Sequence, residues 1–224
     1  MGLSYIREVG KKGKLGLWRI AESVDELKNL KQASREDMRM LDSFTNDTRK
    51  KEWLASRILV EKLIEEKAEI FYDEHNKPFL KNSKKHISLS HSHNFMAVII
   101  DDKETGIDIE LIKPNVLKIK EKFMNNDELN AVGKENIAEK LTLYWCVKES
   151  LYKYYGKRKL TFKENLMVEP CPTASFRRAL EYKEKGTVAA RIHHGTMKKK
   201  FELNYEFISA YGQKYMMAYI VKEV

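Results

Sequence analysis

Asp108 and Glu110 stand two residues apart in the run Gly106-Ile107-Asp108-Ile109-Glu110. On an extended strand alternate side chains share a face. Ile107 and Ile109 then point into a core, and both carboxylates project together on the other side. Carboxylates that close repel each other unless a cation lies between them. Oxygen-only ligation suits a hard cation such as Mg²⁺, which takes one or two carboxylates and leaves room for water and phosphate oxygens. A plain strand with two solvated acids shows the same alternation.

A second group lies in Trp145-Cys146-Val147-Lys148-Glu149-Ser150-Leu151-Tyr152-Lys153. Trp145, Glu149 and Lys153 are spaced to share one helix face. Glu149 could be a third carboxylate at the metal and Lys153 a cation for a phosphate. Alternatively the two form a surface ion pair worth about a few tenths of a kcal/mol. In Ile87-Ser88-Leu89-Ser90-His91-Ser92-His93, Ile87 and Leu89 face inward, while Ser88 and Ser90 face outward. The strand thus ends in hydroxyls and imidazoles suited to a phosphate, or in an ordinary polar turn. Zinc at His91 and His93 would need a Cys or a third His at supporting spacing. A serine nucleophile paired with His91 would need a nucleophile elbow, which is missing. Asn76-Lys77-Pro78-Phe79 places a lysine on a turn, a common position for a solvated charge.

The elements that must carry these residues can be read from caps and periodicity. Leu15–Ala21 reads as a strand. Ser23 with Glu26 three residues on is a capping box for a short helix to Lys31. Ser34 caps a second helix through Leu41. A longer helix runs from Arg49 to Glu66, with Leu54, Ile58, Leu59 and Leu63 on one stripe. Strands are expected at Ala68–Tyr72, Ile87–Ser90, Phe95–Asp101 and Ile107–Leu111, the last three as a meander or hairpin unit. Helices follow at Leu117–Phe123, Asp127–Val132 and Ile137–Tyr155. Thr187–His193, Phe201–Phe207 and Tyr215–Val221 close the chain as strands. Both halves hold helices and strands in similar order, which suits a duplicated α+β unit.

With 42% hydrophobic and 33% charged residues, the chain reads as an ordinary soluble globular protein. The formal net charge of +9 points to a polyanionic partner: nucleic acid, anionic membrane, phosphorylated ligand or acidic protein. The basic runs, such as Lys157-Arg158-Lys159 and Lys198-Lys199-Lys200, are too short for a nucleic-acid tail. Two cysteines, Cys146 and Cys171, make neither a disulfide framework nor a metal spacing. The first residues lack a signal peptide's apolar core, and no run is long enough to span a membrane. A reduced, cytoplasmic setting is expected. A basic nucleic-acid-binding module is the rival from another class, but it lacks a recognisable motif and leaves the three acids unexplained. A different metal-dependent phosphotransferase or nuclease is the other rival. The absence of a glycine-rich phosphate loop argues against a kinase or NTPase.

The order of the motifs is more telling than any one of them. A Lys-Pro turn, Ser-x-Ser-His, Gly-Ile-Asp-Ile-Glu and Trp-x-x-Lys-Glu-Ser-x-x-Lys together resemble the Sfp-type 4′-phosphopantetheinyl transferase family across residues 76–153. The last two motifs carry most of the specificity. The resemblance implies an α+β fold: a monomer of two similar halves related by a pseudo-twofold, with the active site in the cleft between them. Residues 1–103 would supply coenzyme A contacts, and 104–224 the metal motif and the catalytic helix. It implies that Asp108, Glu110 and Glu149 bind Mg²⁺, with Mn²⁺ open as a substitute, and that Glu149 is the candidate general base. Lys153 would bind the pyrophosphate, Ser90 and His91 the nucleotide phosphates, and Lys77 the adenine end of coenzyme A. Basic residues before the long N-terminal helix bind the 3′-phosphate in relatives; Arg39 is expected there, with Arg35 as the alternative. The implied partner is an acidic apo carrier protein, docking near Leu117–Asn130 with Lys118, Lys120, Lys122, Phe123 and Met124. No nucleic acid or membrane partner is expected.

Overall fold

The computed structural model of the chain describes residues 2–81, 83–157, 159–170 and 185–224, so Arg158 and Cys171 lie outside the described residues. The chain opens with a hairpin of β1 (Leu3–Val9) and β2 (Gly13–Arg19). Three helices follow, each started by a polar cap that satisfies otherwise orphaned amides. Ser23 and Ser34 form the caps of α1 (Val24–Lys31) and α2 (Arg35–Asp42), and Asn46 caps α3 (Asp47–Ile64). Both serine caps stand where the sequence places them. The chain then adds β3 (Ile70–Tyr72), β4 (Pro78–Leu80), β5 (His86–Ser92) and β6 (Phe95–Asp101). These strands form one sheet in the order β1-β2-β6-β5-β4-β3. Strand β1 is absent from the sequence reading because two of its alternate positions are Tyr5 and Arg7. Both reach Glu206 in the other half, Arg7 being charged and Tyr5 only partly buried against the core, so the alternation is faint.

The second sheet begins with β7 (Ile107–Leu111). A 3₁₀ turn over Pro114–Lys118, α4 (Lys120–Phe123) and α5 (Asn126–Val132) lead to α6 (Ile137–Tyr155). Then come α7 (Phe162–Asn165), β8 (Leu166–Val168), β9 (Lys185–His194), β10 (Met197–Ala210) and β11 (Gln213–Glu223). The strand order is β7-β11-β10-β9-β8. The α+β class is as expected. Of the meander or hairpin expected over Ile87–Leu111, the hairpin forms and the third strand departs. β5 and β6 make a hairpin, but β7 leaves that sheet and pairs with β11.

The layers stack helix, sheet, sheet, helix. α1 and α3 pack on one face of the first sheet around Leu27, Leu54, Ile58 and Val98. α6 covers the second sheet around Leu143, Val147, Phe201 and Leu203. Between the sheets lies a third apolar cluster that includes Leu17, Phe95, Ile107, Ile109 and Tyr215. The expected inward placement of Ile107 and Ile109 is therefore met, and Asp108 and Glu110 take the opposite side of β7.

Candidate functional site

The seam between β5 and β7 is built from side chains. β7 is an edge strand of the second sheet, and the amides of Ile107, Ile109 and Leu111 turn away from β11. Each donates to a serine hydroxyl of β5: Ser88 Oγ at 3.1 Å, Ser90 Oγ at 3.2 Å and Ser92 Oγ at 3.0 Å. Two of these hydroxyls donate onward. Ser90 Oγ donates to Asp108 Oδ1 at 2.7 Å, and Ser92 Oγ donates to Glu110 Oε2 at 2.9 Å. The serines do face away from their own half's core, but they are not free. Ser88 and Ser90 are buried against β7, and Ser90 and Ser92 orient the Asp108 and Glu110 carboxylates.

The helix motif approaches from the other side. Lys153 Nζ donates to Asp108 Oδ1 at 2.6 Å and to the Ile107 carbonyl at 3.0 Å. Trp145 Nε1 donates to Glu110 Oε1 at 3.4 Å. Glycine at position 106 allows this approach, because a Cβ there would stand 2.0 Å from the Ser150 carbonyl oxygen of α6. Beneath the carboxylates Cys146 is fully buried. Burial first, and then the Asp108 charge, push its thiol well above the usual range, so it stays protonated and unreactive.

Three carboxyl groups share this desolvated seam. Burial, and then the Asp108 charge, raise Glu149 to about 7. The same two causes raise Glu110. Asp108 Oδ2 is buried with no hydrogen-bond partner. A buried carboxylate oxygen left unpaired beside two repelling acids is an environment that a cation relieves. Among the described residues, no three His, Cys, Asp or Glu side chains are drawn together tightly enough to hold a metal ion as they stand. A hard cation that keeps several waters and phosphate oxygens does not need such a cage. The donor set therefore fits one, in an open site.

The raised carboxyl has a consequence for stability. Glu149 goes from 4.5 to about 7 on folding, so the folded state holds more protons than the unfolded state between those values. Stability of the metal-free protein then falls as pH rises through that window, by about 3 kcal/mol for a shift of this size. Melting in chelator from pH 4.5 to 8 should show this decline. The variant Glu149→Gln should be flatter over the same range, and an equally steep decline in that variant would refute the assignment.

Lys77 lies at the far end of the seam. Its Nζ pairs with Glu104 and donates to the Tyr154 carbonyl at 3.0 Å, joining the first sheet to the C-terminus of α6. Gly156 ends that helix in the left-handed region at φ 66°, and Lys77 Cδ sits 2.3 Å from where its Cβ would be. A cavity of about 100 Å³ opens here, lined by Lys77, Pro78, Leu89, Tyr152, Lys153 and Lys157. A larger hollow of about 300 Å³ lies at the β10–β11 turn, but Lys214 is its one charged side chain. The smaller cavity is the one that reaches the seam, through Lys153.

Two expected contacts are set apart. Ser90 and His91 fall on opposite faces of β5, and His91 Nε2 stands 3.2 Å from Glu52 Oε2 on α3. Arg49 Nη1 is 3.4 Å from the same Glu52 oxygen. Arg57, also on α3 and 8% exposed, lies with its guanidinium 4.0 Å over the Trp53 ring. Arg39 and Arg35 are exposed on α2. The cation linked to His91, Arg49 through Glu52, thus comes from α3, where helical periodicity gave no special signal. Phe123 and Met124, expected on a docking surface, are buried in the core against α6. Lys118 and Lys122 from the same segment are exposed.

A sequence model of the 4′-phosphopantetheinyl transferase superfamily matches residues 104–217, just over half of the chain. The 4′-phosphopantetheinyl transferase psf-1 of Bacillus pumilus is 40% identical over 76 residues, 32% of this chain and 32% of that protein. The 4′-phosphopantetheinyl transferase of Bacillus subtilis is 30% identical over 88 residues, 38% of this chain and 39% of its own length. The 4′-phosphopantetheinyl transferase AcpT of Salmonella typhimurium is 30% identical over 115 residues, 48% of this chain and 60% of its own. The chain thus matches between about a third and three fifths of the length of these relatives.

Proposed function

The chain belongs to the 4′-phosphopantetheinyl transferase superfamily, and from that premise we propose that it moves the phosphopantetheine arm of coenzyme A onto a serine of an apo carrier protein, releasing 3′,5′-ADP. The observation that carries the proposal is the meeting of Asp108, Glu110, Glu149 and Lys153 at one desolvated seam. The serine oxygen attacks the β-phosphorus of coenzyme A, and the bond to the departing nucleotide phosphate breaks. Catalysis of such a transfer is mostly positioning and charge stabilisation.

Each residue has a task that its surroundings suit. Glu149, a carboxylate at the same seam, would take the proton of the carrier hydroxyl as general base. Lys153 already balances Asp108 and would offset charge on the pyrophosphate. Asp108, Glu110 and Glu149 would hold Mg²⁺, which when bound polarises the pyrophosphate and neutralises the leaving group. Ser90 and Ser92 orient two of those carboxylates. Lys77 would meet the nucleotide end by exchanging Glu104 for the ligand. Arg39 keeps its role as a 3′-phosphate contact by resemblance, and Arg49 beside His91 is a second candidate.

The net charge of +9 favours an acidic carrier and an anionic cofactor, mainly through a faster encounter. The catalytic set comes from one copy of the chain, so a monomer suffices. A cytoplasmic setting suits an enzyme using coenzyme A, and no helix among the described residues is long and apolar enough to cross a membrane.

Transfer is tested by incubating apo carrier proteins with the chain, coenzyme A and Mg²⁺, then weighing the carriers. A gain equal to one phosphopantetheine arm is expected. Several carriers left unmodified, together with tight and salt-sensitive binding to nucleic acid, would favour the nucleic-acid reading instead.

A further inference from the structure

Lys148 sits beside Glu149 in sequence but turns to the other side of α6. Its side chain is wholly buried, and Nζ donates to three acceptors: Glu128 Oε2 at 2.7 Å, the Phe123 carbonyl at 2.7 Å and the Phe162 carbonyl at 3.1 Å. All three ammonium protons are used. Glu128 is 3% exposed and equally engaged, with Oε2 accepting from Asn125 N at 2.9 Å and Oε1 from Val168 N at 2.8 Å. One ion pair therefore fastens α4, α5, α7 and β8 to the back of α6.

Such a pair is a poor way to gain stability. Desolvating two charges costs about what their attraction returns, and apolar replacements of similar volume are often neutral or better. Geometry gives a better account of it. The two residues whose carbonyls Lys148 holds place their rings on Trp145: Phe123 at 5.2 Å and Phe162 at 5.5 Å between centroids. Trp145 in turn donates to Glu110 Oε1, while Ser92 holds the other oxygen of that carboxylate.

We propose that Lys148 and Glu128 are positioning residues for the transfer reaction: they fix the Phe123 and Phe162 rings that hold the Trp145 indole on Glu110. The inference rests on the reading of Glu110 as a metal-binding carboxylate of a transferase. Neither residue of the pair touches the reacting atoms. The ammonium holds two backbone carbonyls and the Glu128 carboxylate at once, which an apolar side chain cannot do.

The test uses Lys148→Met, the double variant Lys148→Met/Glu128→Leu, and Trp145→Phe, in the full chain. Lys148→Met leaves Glu128 buried and unpaired and should melt on the order of 10 °C lower. The double variant should regain most of that loss, yet keep a kcat at least about tenfold down with the KM for coenzyme A little changed. Recovery of kcat along with melting temperature would show a merely structural pair and overturn the proposal. Trp145→Phe keeps a ring in the cluster and removes the indole N–H. It should melt within a few degrees of the parent and bind Mg²⁺ about tenfold more weakly by calorimetry, with kcat reduced. If no Lys148 variant folds, Trp145→Phe decides, and unchanged Mg²⁺ affinity and kcat would overturn the proposal. A parent chain that modifies no carrier would instead defeat the transferase reading.

Discussion

Asp108→Asn is expected to lower carrier modification by at least about 10³-fold at saturating coenzyme A, with the fold intact. Asparagine keeps the size of the side chain and can still accept the Ser90 hydroxyl. It removes the charge that pairs with Lys153 at 2.6 Å, and it replaces the unpaired oxygen Oδ2 with a group that cannot bind a cation as a carboxylate does. Its effect should spread to the neighbouring acids. In the metal-free protein the Asp108 charge raises both Glu110 and Glu149, so its loss should move both downward. The comparison to make is kcat and KM for coenzyme A, read by carrier mass, beside the melting temperature. Activity within tenfold of the parent would remove Asp108 from the catalytic set.

Gly106→Ala should damage the fold before it damages chemistry. Its Cβ would stand 2.0 Å from the Ser150 carbonyl oxygen, 2.9 Å from the Ser150 carbonyl carbon and 3.2 Å from the Tyr154 amide. All three are backbone atoms of α6, so no side chain can swing aside. The helix is pinned at this point. Ser150 Oγ donates to the Ala218 carbonyl at 2.9 Å, and Ile220 N donates to the Gly106 carbonyl at 3.0 Å. The strand or the helix must move, and the expected cost is about 3 kcal/mol or more. In a chain of this size that lowers the melting temperature by about 10 °C. Thermal unfolding of the variant measures it, and a change below about 2 °C would mean that α6 slides freely on β7.

The residues best read from sequence were those whose partners are local. Ser23 and Ser34 cap helices three residues away, and α6 shows its full span in a single periodic run. The carboxylates of β7 were legible because strand alternation fixes the side on which Asp108 and Glu110 lie. What alternation cannot supply is the identity of the facing surface. Ser88, Ser90 and Ser92 present one face of β5, but their partner is the backbone of a strand in another sheet. The same limit hid Phe123 and Met124, which looked like one side of a surface helix. They are buried because Lys148 draws their segment onto α6. Arg49 gave no signal apart from charge, since its link to His91 through Glu52 depends on how α3 crosses β5.

The serine seam also governs how the molecule behaves toward its own copies. An edge strand with open amides is a template onto which another chain can add a strand, the usual start of aggregation. β7 has such amides at Ile107, Ile109 and Leu111, and β5 closes all three with hydroxyls. A hydroxyl ends a row of hydrogen bonds where a backbone strand would extend it. The two sheets therefore meet without merging into one continuous ribbon. A fragment carrying β7 without β5 would expose a sticky edge, so solubility of the second half depends on the first.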